Sequence, residues 1–170
     1  MEWKLMPYQM EMAESLARYA NNPKVAQFLR DAFVHPYGVE DARRYIQLVL
    51  DSGEERQLVR AIVVDGEAAG SIGVFCGGDV GRLTGELGYW LAEPHWGKGI
   101  VTRAVGQICG EAMARFGLVR VFAEPFANNP GSARVLEKAG FVREGTMRKH
   151  VIKNGEILDS HLYAMVRESA

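Results

Sequence analysis

Apolar and polar positions change their period several times along the chain, and each change marks an element. Residues 8–20 are rich in helix formers, with Met10, Ala13, Leu16 and Ala17 on one side, and predict a helix. Asn21, Asn22 and Pro23 break that run and start a second short helix through about Arg30. Residues 31–38 have no period and read as a loop. In residues 39–53, Ala42, Tyr45, Ile46, Val49 and Leu50 recur at three- and four-residue steps, and Gly53 stands where a helix stop belongs. Residues 57–78 read as strand, turn and strand about Asp65-Gly66, and residues 83–94 as a further strand that Pro94 ends. Residues 97–117 carry a clear helical stripe of Ile100, Val101, Ala104, Val105, Ile108, Cys109, Ala112, Met113 and Phe116. Arg103, Gln107, Glu111 and Arg115 face away from it. A strand at 118–126 follows, then a short helix from Asn129 to Gly140, then two long strands in 141–166 around Asn154-Gly155. The order, helices and then β-β-β-α-β-α-β-β, predicts one α+β (mixed α/β) domain over 1–170 with a single central β-α-β unit.

Composition narrows the function classes. At 170 residues the chain suits one domain with a sizeable core. With 48% hydrophobic and 24% charged residues it is ordinary globular protein, which excludes disorder, collagen-like and coiled-coil classes. Lys plus Arg number 20 against 21 Asp plus Glu, so no broad basic face for nucleic acid is expected. Cys76 and Cys109 are too few for a disulfide framework and make no zinc pattern with the four histidines, so no metal is expected. There is no signal-peptide pattern at the N-terminus, and no apolar run nears the roughly 20 residues that span a bilayer. The expectation is a cytoplasmic protein without a membrane partner.

The chemistry concentrates at the strand-to-helix turn Pro94-His95-Trp96-Gly97-Lys98-Gly99-Ile100-Val101-Thr102. Gly97 and Gly99 remove side chains where the chain enters the helix. The first N–H groups of a helix lack internal partners and sit at its positive end, which makes a cradle for phosphate. Thr102 adds a hydroxyl and Lys98 a rim charge. The P-loop pattern fails because Lys98 is followed by Gly99. The dinucleotide pattern G-x-G-x-x-G fails at Thr102, although Glu124 keeps that oxidoreductase reading open.

The block from Glu86 to Phe141 resembles the coenzyme A-binding core of the GNAT superfamily of N-acetyltransferases, and most of all its RimJ/RimL-like ribosomal-protein acetyltransferase branch. The carrying segments are GELGYWL (85–91), WGKGIVT (96–102), N-x-x-S (129–132) and EKAGF (137–141). The resemblance implies a single-domain fold with a mostly antiparallel sheet and acetyl-CoA as co-substrate. It also implies an amine acceptor: a protein N-terminus, a polyamine, an antibiotic or another small amine. A homodimer is compatible with it. The phosphate loop Q/R-x-x-G-x-G/A falls on residues 96–101, with Trp96 in the first place and Val101 in the last. Trp90, Leu91 and Ala92 would pair their backbone with the pantetheine arm, and Asn129 would bond it too. Arg134 and Lys138 lie beyond Asn129 on the short helix, where the resemblance would let them meet the adenosine phosphates, against the stronger reading of a solvated helix face.

Acetyl transfer needs a neutral amine, a stabilised oxyanion and a leaving thiolate. An α-amine of pKa near 8 needs only a modest base, and N–H groups where the strand bulges would serve the oxyanion. By the resemblance Glu86 is the base, acting through water; alternation puts it on one face with Gly88 and Trp90. A structural ion pair is its competing reading. Many relatives place a tyrosine acid seven residues after the asparagine. Here that position is Leu136, so the resemblance assigns Ser132 as acid or sulfur hydrogen-bond donor, against a helix-capping reading. His35 and Tyr37 would wall the acceptor site. Tyr89 and Tyr163 read as sheet aromatics, His150 and His161 as structural, Cys109 as an inert core thiol. A non-catalytic acyl-CoA-binding module remains the second reading, motivated by Val101 and the missing tyrosine.

Overall fold

The computed structural model describes residues 1–168. Its strands are β1 (Trp3–Met6), β2 (Gln57–Val64), β3 (Glu67–Cys76), β4 (Thr84–Leu91), β5 (Arg120–Ala123), β6 (Val142–Lys153) and β7 (Glu156–Val166). Its helices are α1 (Ala13–Ala20), α2 (Pro23–Ala26), α3 (Val39–Ser52), α4 (Ile100–Phe116) and α5 (Pro130–Lys138). The strands form one sheet in the order β1-β2-β3-β4-β5-β7-β6. Only β4 and β5 run parallel, joined through α4; every other neighbour pair is antiparallel. This is the expected mixed α/β sheet with one β-α-β unit.

The run QLVRAIVV in β2 lacks a polar face because helices cover both sides of the sheet. Leu58, Ile62 and Val64 join α4 and α5 in one core with Ile72, Val74, Leu87, Leu91 and Val121. Val59, Ala61 and Val63 join α1 and α3 in the other, with Leu16, Ala17 and Ile46. Each fully buried Leu or Ile contributes roughly 1.5–3 kcal/mol relative to leaving it in water. The α4 stripe lies in or against the first core as its spacing requires, while Arg103, Gln107, Glu111 and Arg115 are exposed.

Turn chemistry sets the connections. Asp65 and Gly66 both take positive φ between β2 and β3, as do Asn154 and Gly155 between β6 and β7. Pro130 opens α5 and Asn129 Oδ1 caps it by accepting from Ser132 N–H at 3.2 Å.

Two departures from the sequence pattern matter. The second helix stops at Ala26 rather than near Arg30, and residues 27–29 continue as turns. Asn22 caps it by accepting from Lys24 N–H at 2.9 Å, yet four residues bury only Val25 and Ala26, too little apolar face to extend it. The other departure is β1, which no period announces. It is four residues long and gains its order by pairing with β2, Trp3 opposite Val64.

Candidate functional site

The site starts from an inequality of strand lengths. β4 has eight residues and β5 four, and their parallel pairing covers only Thr84–Glu86 against Arg120–Phe122. Beyond Glu86, β4 continues alone on that side while it stays paired with β3 as far as Leu91 opposite Gly70. Ala92 N–H donates to Ala69 O at 2.8 Å. By antiparallel alternation, Trp90 also bonds towards β3, while Tyr89 and Leu91 turn their N–H and C=O groups into the gap that β5 leaves. The open backbone therefore belongs to Tyr89 and Leu91. Of the three residues expected to meet pantetheine, Trp90 and Ala92 spend their backbone groups within the protein; Ala92 O accepts from His95 N–H at 3.0 Å. β4 keeps an unbroken register with β3, so the strand has no bulge; the free groups come from the end of β5.

Trp96 bonds back to this strand. Its indole Nε1–H donates to Leu91 O at 2.7 Å, which leaves Leu91 N–H as that residue's group for the gap. Gly97 and Gly99 follow with φ of 74° and 76°, the left-handed region that favours glycine. Gly99 is the N-cap of α4 without any side-chain cap bond. The opening amides, Ile100, Val101 and Thr102 among them, stand at the positive end of a 17-residue helix. Ile100 is buried and the Val101 side chain packs against the core of α4 and the sheet. Its branched side chain thus points into the core, which leaves its backbone as the part facing the helix opening. Lys98 is exposed on the rim and Thr102 half-buried.

Glu86 and Ser132 approach the gap from opposite faces of the sheet. Glu86 shares its face with Trp90, and Arg30 Nη2 donates to its Oε2 at 2.6 Å. Its side chain is 31% exposed, and Oε1 has no hydrogen-bond partner among the described residues. Ser132 lies on α5 against the other face, where its Oγ meets Tyr89 OH at 2.5 Å. Burial pushes the Tyr89 phenol up to about 12, with the Ser132 bond opposing it. Leu136 is fully buried and packs in the core.

A cavity of about 410 Å³ opens beside Arg30, the partner of Glu86, and is lined in part by Arg30, Asp31, Glu124, His150, Lys153 and Ser160. Two neighbouring residues of the 27–38 segment span it. Arg30 pairs with Glu86, and Asp31 accepts from Lys153 Nζ at 3.0 Å on β6. Glu124 has no ion-pair partner among the described residues. Above Trp90 sit Phe33 and Tyr37, stacked on each other at 5.0 Å, with Phe33 edge-on to Trp90 at 5.6 Å. Burial, with Asp41 second, pushes Tyr37 up to about 12. His35 is exposed and takes no part in this cluster. Neither the period-free loop, for Phe33, nor the end of the second predicted helix, for Arg30, gave a signal; both residues are placed by tertiary contacts.

The remaining polar candidates have structural partners. His150 Nδ1 bonds Ser160 Oγ and His161 Nδ1 bonds Thr146 Oγ1, each at 3.0 Å. Tyr163 OH donates to Glu137 at 2.8 Å. Burial pushes Cys109 up to about 12 and raises Cys76 too, which makes both poor nucleophiles. Among the described residues no group of three His, Cys, Asp or Glu could hold a metal ion, and no helix is long and apolar enough to cross a membrane.

The family model for the acetyltransferase (GNAT) domain matches residues 4–142. The chain belongs to the GNAT acetyltransferase family. It is 28% identical over 169 residues to the uncharacterized N-acetyltransferase p20 of Bacillus licheniformis, covering 96% of this chain and 92% of that one. It is 33% identical over 86 residues to the ribosomal-protein-serine acetyltransferase of Escherichia coli (strain K12), covering 51% and 48%. Among solved structures, the microcin C7 self-immunity acetyltransferase MccE, in complex with acetyl-CoA and AMP, matches with a TM-score of 0.84 and 25% identity, over 97% of this chain and 92% of that one. This GNAT protein is an N-acetyltransferase with acetyl-CoA as its acetyl donor, and ribosomal-protein acetyltransferases are among its relatives. The dinucleotide reading falls, because a doubly wound parallel sheet is required for it and only β4 and β5 are parallel here.

Proposed function

We propose that this acetyltransferase acetylates the α-amine of a protein N-terminus, or a small primary amine of similar reach, admitted through the cavity beside Arg30, the partner of Glu86. Glu86 Oε1 takes the amine proton through a water. Ser132 donates a hydrogen bond to the departing sulfur from the opposite face. Leu91 N–H and the Tyr89 backbone hold the pantetheine arm, joined by the side-chain amide of Asn129, whose Oδ1 is already engaged as a cap. The amides of the glycine turn and of the opening of α4, from Gly97 to Thr102, hold the diphosphate. The bound donor supplies an activated acyl group and a good leaving thiol.

The observation that carries this reading is the gap between β4 and β5, with a carboxylate on one face and a hydroxyl on the other. The cavity's charges support an amine acceptor: Arg30 and Lys153 are already neutralised in ion pairs, whereas Glu124 is left to meet an incoming ammonium. An α-amine near pKa 8 is partly neutral at pH 7, so a modest base is sufficient. The name of the Escherichia coli relative points to a protein acceptor.

The test is a mass scan of products from acetyl-CoA with a panel of peptides and small amines. Glu86→Gln is then run on the best acceptor. We expect kcat to fall about 10²-fold or more while acetyl-CoA still binds. An unchanged kcat removes Glu86 from the reaction, and acetylation confined to lysine side chains refutes the α-amine reading.

A further inference from the structure

We propose that Tyr89 is a positioning residue for the leaving-group step: its hydroxyl holds Ser132 Oγ so that the serine proton is directed at the departing sulfur. This rests on the role given to Ser132 above and deepens it.

Three observations carry the inference. The two oxygens are 2.5 Å apart although the residues are 43 positions apart in sequence. Tyr89 stands on the strand segment whose backbone opens into the β4–β5 gap, so the same residue meets the gap with its backbone and α5 with its side chain. The α5 cap is supplied by Asn129 Oδ1 to Ser132 N–H, which frees the serine hydroxyl from capping.

The donor direction follows from chemistry. A phenol is the more acidic of the two hydroxyls and has one proton, so it donates to Ser132 Oγ. The serine O–H then has no partner among the described residues and is free for a third atom. A donated bond polarises the acceptor's own O–H, which strengthens the next bond in the chain. Burial keeps the phenol protonated throughout the working pH range. This two-hydroxyl relay stands in for the tyrosine that Leu136 replaces.

The step balances without a net proton on either hydroxyl. The amine nitrogen forms the C–N bond, the C–S bond breaks and sulfur leaves with the electron pair as a thiolate. The amine proton goes to solvent through Glu86 and its water. A thiol is far more acidic than an alcohol, with cysteine near 8.5 as the reference, so a hydrogen bond from Ser132 is sufficient stabilisation and full proton transfer to sulfur is not required.

The test is a double-mutant cycle of Tyr89→Phe, Ser132→Ala and both together, read as kcat, KM for acetyl-CoA and Tm. Tyr89→Phe keeps the ring, so Tm should stay within about 2 °C, and losing one hydrogen bond should lower kcat about tenfold with KM within twofold. The double variant should be no slower than Ser132→Ala, because both act through one hydroxyl. If Ser132→Ala keeps the wild-type kcat, the Ser132 role itself fails. If Ser132→Ala is slow but Tyr89→Phe is not, or the two losses multiply, Ser132 stands and the positioning role is overturned. A fall in kcat matched by a rise in KM and a lower Tm assigns Tyr89 to packing instead. Ser132→Thr keeps a hydroxyl and should retain most of the rate with Tyr89 present, which covers the case where the alanine variant folds poorly.

Discussion

Gly70→Ala should disable the enzyme from a position that touches no reactant. Gly70 lies on β3 directly opposite Leu91. A Cβ added there would stand 2.5 Å from Trp90 O and 3.2 Å from Leu91 Cα, where ordinary contact begins at 3.4 Å. The shortfall of about 0.9 Å is against backbone, so no side-chain rotation relieves it. The end of β4 must move away from β3, into the gap where Tyr89 and Leu91 present their peptide groups. Overpacking of this kind costs roughly 1–3 kcal/mol. For a chain of this size that lowers Tm by roughly 2–12 °C. A displacement near 1 Å at a reacting centre costs about 10² in rate. The assay is thiol release from acetyl-CoA with the best acceptor, alongside thermal melting by circular dichroism. Gly106→Ala is the control. It sits on the exposed face of α4 with nothing within 4 Å of the new methyl, and should stabilise by about 0.5–1 kcal/mol without changing the kinetics. A folded Gly70→Ala protein with wild-type kcat and KM refutes the claim that the β4 end positions the thioester.

Two further outcomes follow from the same geometry. Gly99→Ala has room for its methyl, the nearest atom being Arg103 Nη1 at 3.6 Å, but it forces an L-residue to φ of 76° at a cost of roughly 1–2 kcal/mol. Either Tm drops by a few degrees or the loop rotates and calorimetry shows acetyl-CoA binding weakened about tenfold; no change in either removes the cradle from Gly99. The Tyr19 hydroxyl, first, and the Arg18 guanidinium hold the Glu67 carboxyl below the usual range. A depressed carboxyl stabilises the fold above its unfolded pKa near 4.3, and that contribution is lost as pH falls through its folded value. Melting of the wild type should therefore decline below about pH 4.3, and Glu67→Gln should flatten the decline; parallel curves would contradict the assignment.

Local patterns determined a great deal of this protein. Turn pairs such as Asp65-Gly66 and Asn154-Gly155, the α4 stripe and the Gly97/Gly99 entry act over a few residues, so most of the elements, the single β-α-β unit and the glycine turn into α4 were legible as sequence. The linked motifs also resembled the right family. β1 escaped because Trp3–Met6 is too short to show a period and is ordered by a partner some 60 residues away. The site's inner geometry escaped for the same physical reason. That β5 stops where β4 continues depends on two strand lengths compared across α4. That Leu91 rather than Trp90 opens into the gap depends on the register with β3. Arg30 meets Glu86 across 56 positions and Tyr89 meets Ser132 across 43. Alternation along β4 could say which side chains share a face, but only the closed sheet decides what stands opposite them, because those contacts form between segments that no local preference connects.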